Sequence, residues 1–163
     1  MTSAERERLR HLARVIRREV RHLSDTARRL FAENLSPDRL ARLEDEPELA
    51  ERIDAFAARF GRLQDTLGGR LLPALLRAMG ETPGPALENL DRAERFGWID
   101  SADAWMEARR LRNQLVHDYL EDPALLADAL AAARRFLRPL LDAATRMMRE
   151  MEARGWVEPA DGR

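Results

Sequence analysis

The chain has 163 residues, of which 45% are hydrophobic and 35% charged, with 28 basic residues against 29 acidic ones. This length is enough for one domain whose core needs neither disulfides nor a metal for stability. Because cysteine is absent, thiol nucleophiles, disulfide frameworks and cysteine-based zinc sites are excluded, and we expect a cytoplasmic protein. The charged N-terminal segment and the lack of a long apolar run predict no signal peptide and no membrane anchor.

Two features of the composition bear on fold and function. Every basic residue is arginine; a GC-rich genome explains this bias, although arginine is also the better bidentate partner for phosphate. Alanine and leucine dominate, whereas isoleucine, valine and threonine are scarce. Since strands favour β-branched residues, the composition predicts an all-α protein.

The first predicted element is a long helix that reaches about residue 32, because apolar residues recur every three or four positions. Its other faces carry many arginines and only four acids; the arginines are Arg6, Arg8, Arg10, Arg14, Arg17, Arg18, Arg21, Arg28 and Arg29. Such a face is either a footprint for nucleic acid or an acidic partner, or an ordinary solvated helix face. The net charge of -1 argues against general binding of polyanions.

The middle of the chain contains two further predicted helices. Ser36-Pro37 has the form of an N-cap followed by proline, which predicts a short helix to about Asp45. Pro47 opens a longer apolar stripe that continues to Gly80. Gly68-Gly69 and Pro73 fall inside this stripe, so we expect the second helix to bend or split there.

The last third predicts a short helix and two longer ones. A turn at Thr82–Pro85 precedes a helix to about Phe96, which Gly97 ends. Asp100 or Ser101 then caps a helix to about Leu120, and Asp122-Pro123 caps the last long helix.

Long helices joined by short turns predict an antiparallel up-and-down helical bundle, with four main helices plus short ones. We expect residues 1–154 to form this single domain. Residues 155–163 form a short polar tail, with Trp156 as its one apolar anchor, and chain ends of this kind commonly fray.

One segment contains side chains that are suited to acid–base and phosphate chemistry. Residues 107–119 include the only histidine beyond position 22 and the only tyrosine. At 100° per residue, Arg109, Asn113 and His117 form one polar stripe, and Arg112 and Tyr119 lie nearly in line. His117 lies about 140° around a straight helix from Arg112. A bend near His117 or a second subunit is needed to bring the two groups together.

An imidazole beside a permanently charged guanidinium is suited to phosphodiester chemistry. The histidine can move a proton and the arginine can stabilise the charge on a five-coordinate phosphorus, so no metal is required. The structural alternative is that Arg112, Asn113 and His117 satisfy buried helix ends while Tyr119 packs its ring and keeps its hydroxyl at the surface.

The order Arg, four residues, His, one residue, Tyr in Arg112–Tyr119 resembles the motif of HepT-like proteins in the HEPN superfamily. The surroundings are also similar, at residues 59–65, at Leu71-Leu72-Pro73, and from Trp98-Ile99 to Trp105-Met106. The resemblance covers most of residues 1–150.

The resemblance implies a ribonuclease toxin of a toxin–antitoxin module, active as a homodimer in which two Arg and His pairs meet. Its partner would be a minimal nucleotidyltransferase antitoxin that transfers AMP from ATP to the motif tyrosine. On this basis Arg112 and His117 are catalytic, Asn113 is an accessory polar group and Tyr119 is the modification site, with RNA as substrate and no cofactor or metal. The rival hypotheses are a non-catalytic accessory module that presents a substrate to a nucleotidyltransferase, and a purely structural adaptor.

Four more polar residues with chemically useful side chains lie outside residues 107–119. His11 and His22 are three helical turns apart, too far to share one metal, so we expect them at the surface. Gln64 and Asp65 belong either to an interface or to capping near Gly68-Gly69. Glycine-rich phosphate loops, HExxH zinc spacing and Ser/His/Asp patterns are missing from the sequence.

Overall fold

The computed structural model describes residues 1–117 and 122–160, apart from the side chains of residues 116 and 117. All regular structure in these ranges is helical, which confirms the all-α prediction. The α-helices of these ranges are α1 (Ser3–Phe31), α2 (Pro37–Leu40), α3 (Pro47–Asp65), α4 (Leu72–Ala78), α5 (Ala86–Arg95), α6 (Ala102–His117) and α7 (Pro123–Ala153). Within the same ranges, no helix is long and apolar enough to cross a membrane.

Helix starts follow from capping side chains. The amide of Glu5 donates to the Thr2 hydroxyl at 3.2 Å while its carboxylate accepts from the Thr2 amide at 2.6 Å, which forms a capping box. At α6 the hydroxyl of Ser101 accepts from the Ala104 amide at 3.0 Å, so Ser101 is the cap. Asp100 instead accepts from Arg146 of α7 at 2.7 Å.

The predicted helix from Ser36 to about Asp45 is shorter than expected: α2 ends at Leu40, and a 3-10 turn covers Leu43–Asp45. Arg42, at φ -110° and ψ 24°, leaves the α-helical conformation. The guanidinium of Arg39 donates to Glu46 at 2.8 Å and to Glu33 at 2.7 Å, and these ion pairs stabilise the turned path of the chain.

The long helix after Pro47 divides as predicted. A π-helical segment, Thr66–Leu71, contains both central glycines and connects α3 to α4. Pro73 then lies in the first turn of α4, where its missing N–H removes no α-helical hydrogen bond. The wider π turn thus lets the chain pass Pro73 without losing its helical path.

Aromatic rings join four helices at the centre of the core. Phe60 of α3 stacks on Phe56 at a centroid distance of 5.5 Å, and Phe56 meets Phe31 of α1 edge-on at 5.1 Å. On the other side Phe136 of α7 lies 6.2 Å from Phe60 and 6.0 Å from Trp105 of α6. Edge-to-face pairs of this kind add to the free energy of burial, so the core positions α1, α3, α6 and α7 together.

Helix α3 runs antiparallel to both α1 and α6. Contacts between α1 and α3 join Glu19 to Thr66 and Thr26 to Arg59. The neighbours of Gly61 and Gly68 in α6 are Arg112 and Trp105, respectively. In both pairs of helices, residue numbers increase along one helix as those of the contacting residues decrease along the other, as expected of antiparallel helices.

The expectation that the tail frays after Gly155 is wrong as far as Glu158. Val157 is 5% exposed and Trp156 packs against the core. The carbonyl of Glu158 accepts from Arg17 of α1 at 2.6 Å. The apolar pair thus buries enough surface to hold the chain after α7, although its composition is otherwise polar.

Candidate functional site

Two buried or half-buried glycines let α6 lie against the backbone of α3. A Cβ atom at Gly61 would lie 2.9 Å from Nε and 3.1 Å from Cγ of Arg112. A Cβ atom at Gly68 would lie 3.3 Å from the indole nitrogen of Trp105. Because these glycines are two helical turns apart, they define one face of α3 on which the α6 side chains rest.

Arg112 crosses this face and ends on Asp65. Its guanidinium Nη1 donates to Asp65 Oδ1, with the two side chains 27% and 52% exposed. Asp65 makes no capping hydrogen bond to the π-helical segment. The structure therefore places Asp65 in a contact between α3 and α6 and not in a side-chain cap, whereas the interface interpretation stays a prediction.

Gln64 occupies the buried side of the same contact. It is 3% exposed, and its Nε2 donates to the backbone carbonyl of Ala108 in α6 at 3.4 Å. Its Oε1 is buried and has no partner among the described residues. Gln64 is thus another link between α3 and α6, one residue before Asp65.

A cavity of about 420 Å³ opens between α1, α3 and Arg112. Its charged and polar lining consists of Glu19, Arg62, Asp65, Thr66, Arg70 and Arg112. The cavity therefore presents three guanidinium groups beside two carboxyl groups, which gives it an excess of positive charge when both acids are ionised.

Glu19 is the half-buried acid of this cavity. The Thr66 hydroxyl donates to its Oε1 at 3.0 Å, while its Oε2 is buried without a partner in the described part of the chain. Burial raises the pKa of Glu19, and the Thr66 hydrogen bond and the nearby Arg62 and Arg70 oppose this rise only in part. The protonated form of Glu19 is favoured more than in a free side chain.

A second cavity, of about 270 Å³, lies on the other side of Asp65. Its lining includes Gln64, the indole of Trp105 and the guanidinium-bearing Arg109. Asp65 and Arg70 line both cavities. We call the two cavities together the Asp65 groove; four arginines, Arg62, Arg70, Arg109 and Arg112, open into it.

The structure places the residues of the motif as follows. Arg112 lies at the Asp65 groove, and Asn113 is exposed on the adjacent face of α6. Helix α6 continues as one α-helix to His117, in which positions 112 and 117 lie about 140° apart around the axis. The side chain of His117 and the whole of Tyr119 lie outside the described residues. The contact of Arg112 with Asp65 shows that it does not serve to satisfy a helix end.

Other residues of the site were missed by the sequence analysis. Glu19, Arg62 and Arg70 carried no recognisable pattern, because their meeting depends on how α1 packs on α3. Gly61 did carry a signal, since a glycine inside a helical pattern costs about 1 kcal/mol relative to alanine and calls for a packing reason. His11 and His22 are exposed, as predicted.

No three His, Asp or Glu side chains in the described ranges are grouped so as to hold a metal ion. Comparison of the chain with family models, curated proteins and solved structures gave no match. The charges and the shape of the Asp65 groove indicate which class of ligand it suits. Guanidinium groups around a concave surface are suited to a phosphate-bearing ligand.

Proposed function

We propose that this protein is a HepT-like endoribonuclease of the HEPN superfamily, the toxin of a toxin–antitoxin module. The observation that carries the proposal is the placement of Arg112. This motif arginine is seated on Gly61 and anchored by Asp65, and it lines a cavity together with two further arginines, Arg62 and Arg70. A positioned guanidinium that remains partly exposed is what a phosphodiester substrate requires.

In the proposed reaction, RNA supplies its own nucleophile, the 2′-hydroxyl next to the scissile phosphate. His117 acts as general acid or base: one imidazole accepts the hydroxyl proton, and an imidazolium returns a proton to the 5′-oxygen that leaves. The guanidinium of Arg112 stabilises the negative charge on the phosphoryl oxygens of the five-coordinate transition state. Proton transfer and charge stabilisation both come from side chains, so the step needs no metal.

The proposed active form is a homodimer of HEPN-like antiparallel bundles. Within one protomer, positions 112 and 117 lie about 140° apart around the axis of α6. A second copy that packs against the C-terminal part of α6 would offer its histidine to the arginine of the first. The composite site is the simplest way in which both groups reach one phosphate.

The proposed regulator is a minimal nucleotidyltransferase antitoxin in the same cytoplasm. The hydroxyl of Tyr119 would attack the α-phosphorus of ATP, with transfer of AMP and release of pyrophosphate. The new phosphodiester would carry negative charge two residues beyond His117 and seven beyond Arg112 in the sequence. Pairing of that charge with Arg112 would remove the guanidinium from the substrate, while the nucleoside would block the entry of RNA.

One observation favours the rival hypothesis of a non-catalytic accessory module. Asp65 already neutralises the charge of Arg112, and an arginine held only for structure would have such a partner. The two hypotheses differ in what the protein does without a nucleotidyltransferase. Growth arrest on expression alone, abolished by His117→Ala, is expected of the nuclease and not of the accessory module.

The decisive experiment measures cleavage of end-labelled RNA in the presence of EDTA. We expect His117→Ala and Arg112→Ala each to lower the rate by about 10² to 10⁴, because each removes a group that acts in the transition state. Arg110→Ala is the matched control, since Arg110 lies on the same helix and pairs with Glu107 at the surface. If both motif variants cleave as fast as the native protein, the nuclease assignment is wrong.

A further inference from the structure

The exposed face of α1 carries a row of arginines, which consists of Arg14, Arg18 and Arg21. His11 and His22 are exposed on the same side of the helix. Between residues 8 and 24 the sequence contains one acid, Glu19. Glu19 lines the Asp65 groove and accepts from Thr66, so it does not lie within the row.

Neighbouring arginines of α1 have acidic partners, and those of the row do not. Arg10 pairs with Glu7 at 2.9 Å, and Arg28 and Arg29 pair with Asp25 at 2.6 and 3.5 Å. No carboxylate among the described residues forms an ion pair with Arg14, Arg18 or Arg21. The middle of α1 therefore presents three uncompensated charges to solvent.

The spacing of the row fits a repeating anion. Along an α-helix, Arg14 and Arg18 are about 6 Å apart and Arg18 and Arg21 about 4.5 Å apart. With long flexible side chains, such steps allow each guanidinium to reach a separate phosphate of an extended strand. The guanidinium fork binds phosphate oxygens in pairs.

The surface around the row lacks the exposed apolar side chains by which a protein or a membrane would bind. Leu9, Leu12 and Ile16 of this stretch are at most 1% exposed, and Val15 and Val20 are partly buried, so none of its apolar side chains is fully exposed. Protein interfaces are anchored by apolar or aromatic side chains, and helices that bind membranes insert an apolar face. A ligand that recognises charge alone is the better fit, and a nucleic-acid backbone is such a ligand.

The row leads to the Asp65 groove. Arg59 of α3 donates to the backbone carbonyl of His22 at 3.3 Å, beside the end of the row. Arg62 follows Arg59 by three residues, which makes them neighbours on the surface of α3. Arg62 lines the same cavity as Arg112. Cationic side chains thus continue from α1 across α3 to the proposed catalytic arginine.

We propose that Arg14, Arg18 and Arg21 form a binding track for the phosphodiester backbone of an RNA strand and guide it past Arg59 and Arg62 to Arg112. That the nucleic acid is RNA rests on the proposed function; that the track binds a strand rests on its charge and spacing. The track contributes to RNA affinity and orients the strand, whereas the cleavage reaction takes place at Arg112 and His117.

The test measures binding of a fluorescein-labelled single-stranded RNA 20-mer by anisotropy, in the His117→Ala background so that the RNA stays intact. The triple variant Arg14→Gln/Arg18→Gln/Arg21→Gln removes three phosphate contacts. We expect the slope of log K against log salt to fall by about 2, and binding at 0.1 M salt to weaken about ten- to hundredfold. Glutamine forms helices nearly as well as arginine, and circular dichroism checks that the fold is kept.

The matched control is Arg10→Gln/Arg28→Gln/Arg29→Gln, which removes the same charge from the same helix at positions with acidic partners. We expect its binding to weaken several-fold less than that of the first triple variant, because the arginines that it removes already pair with Glu7 and Asp25. Equal loss in both triple variants, or no loss in the first, would overturn the track. Tighter binding to phosphatidylserine vesicles than to RNA at equal phosphate concentration would overturn it too.

Failure of the proposed function gives a different result. If the native protein does not cleave RNA but the first triple variant still loses affinity and slope, the track is correct and the nuclease assignment is wrong. If the native protein cleaves RNA and the first triple variant binds like the control, the nuclease assignment is unaffected and the track is wrong.

Discussion

The side chain of Arg112 lies on the backbone of Gly61. A Cβ atom on residue 61 would approach Nε to 2.9 Å and Cδ to 3.0 Å. No side chain at position 61 is compatible with the present path of Arg112 from α6 to Asp65. The smallest residue of α3 thus decides where the guanidinium of the motif is placed.

Gly61→Ala is expected to lower the rate of RNA cleavage at least tenfold, because the guanidinium has to move away from its position at the groove. The free energy of unfolding should fall by less than crowding alone would cause. Crowding costs about 1–3 kcal/mol, and the helix propensity of alanine offsets up to about 1 kcal/mol of that cost. Cleavage kinetics and urea denaturation of the same preparation measure the two effects separately.

The control for helix propensity is Gly69→Ala, since a Cβ at Gly69 meets no atom within 4 Å. It should raise the free energy of unfolding by about 0.4–1 kcal/mol. Native cleavage by Gly61→Ala would show that the placement of Arg112 on Gly61 has no catalytic importance.

Glu19 should make stability depend on pH. Burial raises its folded-state pKa above the usual value of 4.5, so the folded state holds the proton more tightly than the unfolded state does. Its ionised form therefore disfavours folding once the pH rises above 4.5. We expect Glu19→Gln to raise the free energy of unfolding at pH 7, and this gain to disappear as the pH falls below that value.

Urea denaturation at several pH values checks the Glu19 prediction. The comparison variant is Glu51→Gln, a surface substitution on α3 that should change stability little at any pH. A gain for Glu19→Gln that is equally large at pH 4 and pH 7 would show that ionisation of Glu19 is not its cause.

Val157 ties the end of the chain to the core. Because it is 5% exposed, Val157→Ala should lower the free energy of unfolding by about 1–2 kcal/mol through lost apolar burial. Deletion of residues 156–163 should cost more, since it also removes Trp156 and the carbonyl of Glu158 that binds Arg17. Thermal denaturation monitored by circular dichroism gives the change in Tm.

The matched truncation removes residues 161–163 alone and should leave Tm nearly unchanged. If deletion of residues 156–163 has no larger effect than this control, the packing of the tail contributes nothing to stability.

Tyr119→Phe tests the proposed modification. After incubation with the cognate nucleotidyltransferase and ATP, intact-mass analysis should show added AMP units on the native protein and none on the variant, because phenylalanine has no hydroxyl to attack phosphorus. The variant should keep its nuclease activity and escape silencing by modification. Equal labelling of both proteins would place the modification elsewhere, and an unfolded variant would favour a buried structural role for the hydroxyl.

The sequence by itself determined the elements. Apolar periodicity, Ser36-Pro37, the central glycines and Asp122-Pro123 placed most helices within a few residues, because helix formation and capping depend on neighbours in the chain. The motif from Arg112 to Tyr119 was likewise visible as a local spacing. The end of α2 was misplaced because no local signal marks the turn at Arg42, which contacts of Arg39 with Glu33 and Glu46 stabilise.

The surroundings of Arg112 were decided by the tertiary structure alone. Its contacts with Gly61 and Asp65 depend on the register between α3 and α6, and the burial of Glu19 depends on how α1 packs on α3. Helical periodicity tells which face of a helix is buried, but it carries no information on which residue of another helix lies opposite. That register is set by the packing of the whole core, including its aromatic rings, Gly61 of α3 and Gly68 of the π-helical segment.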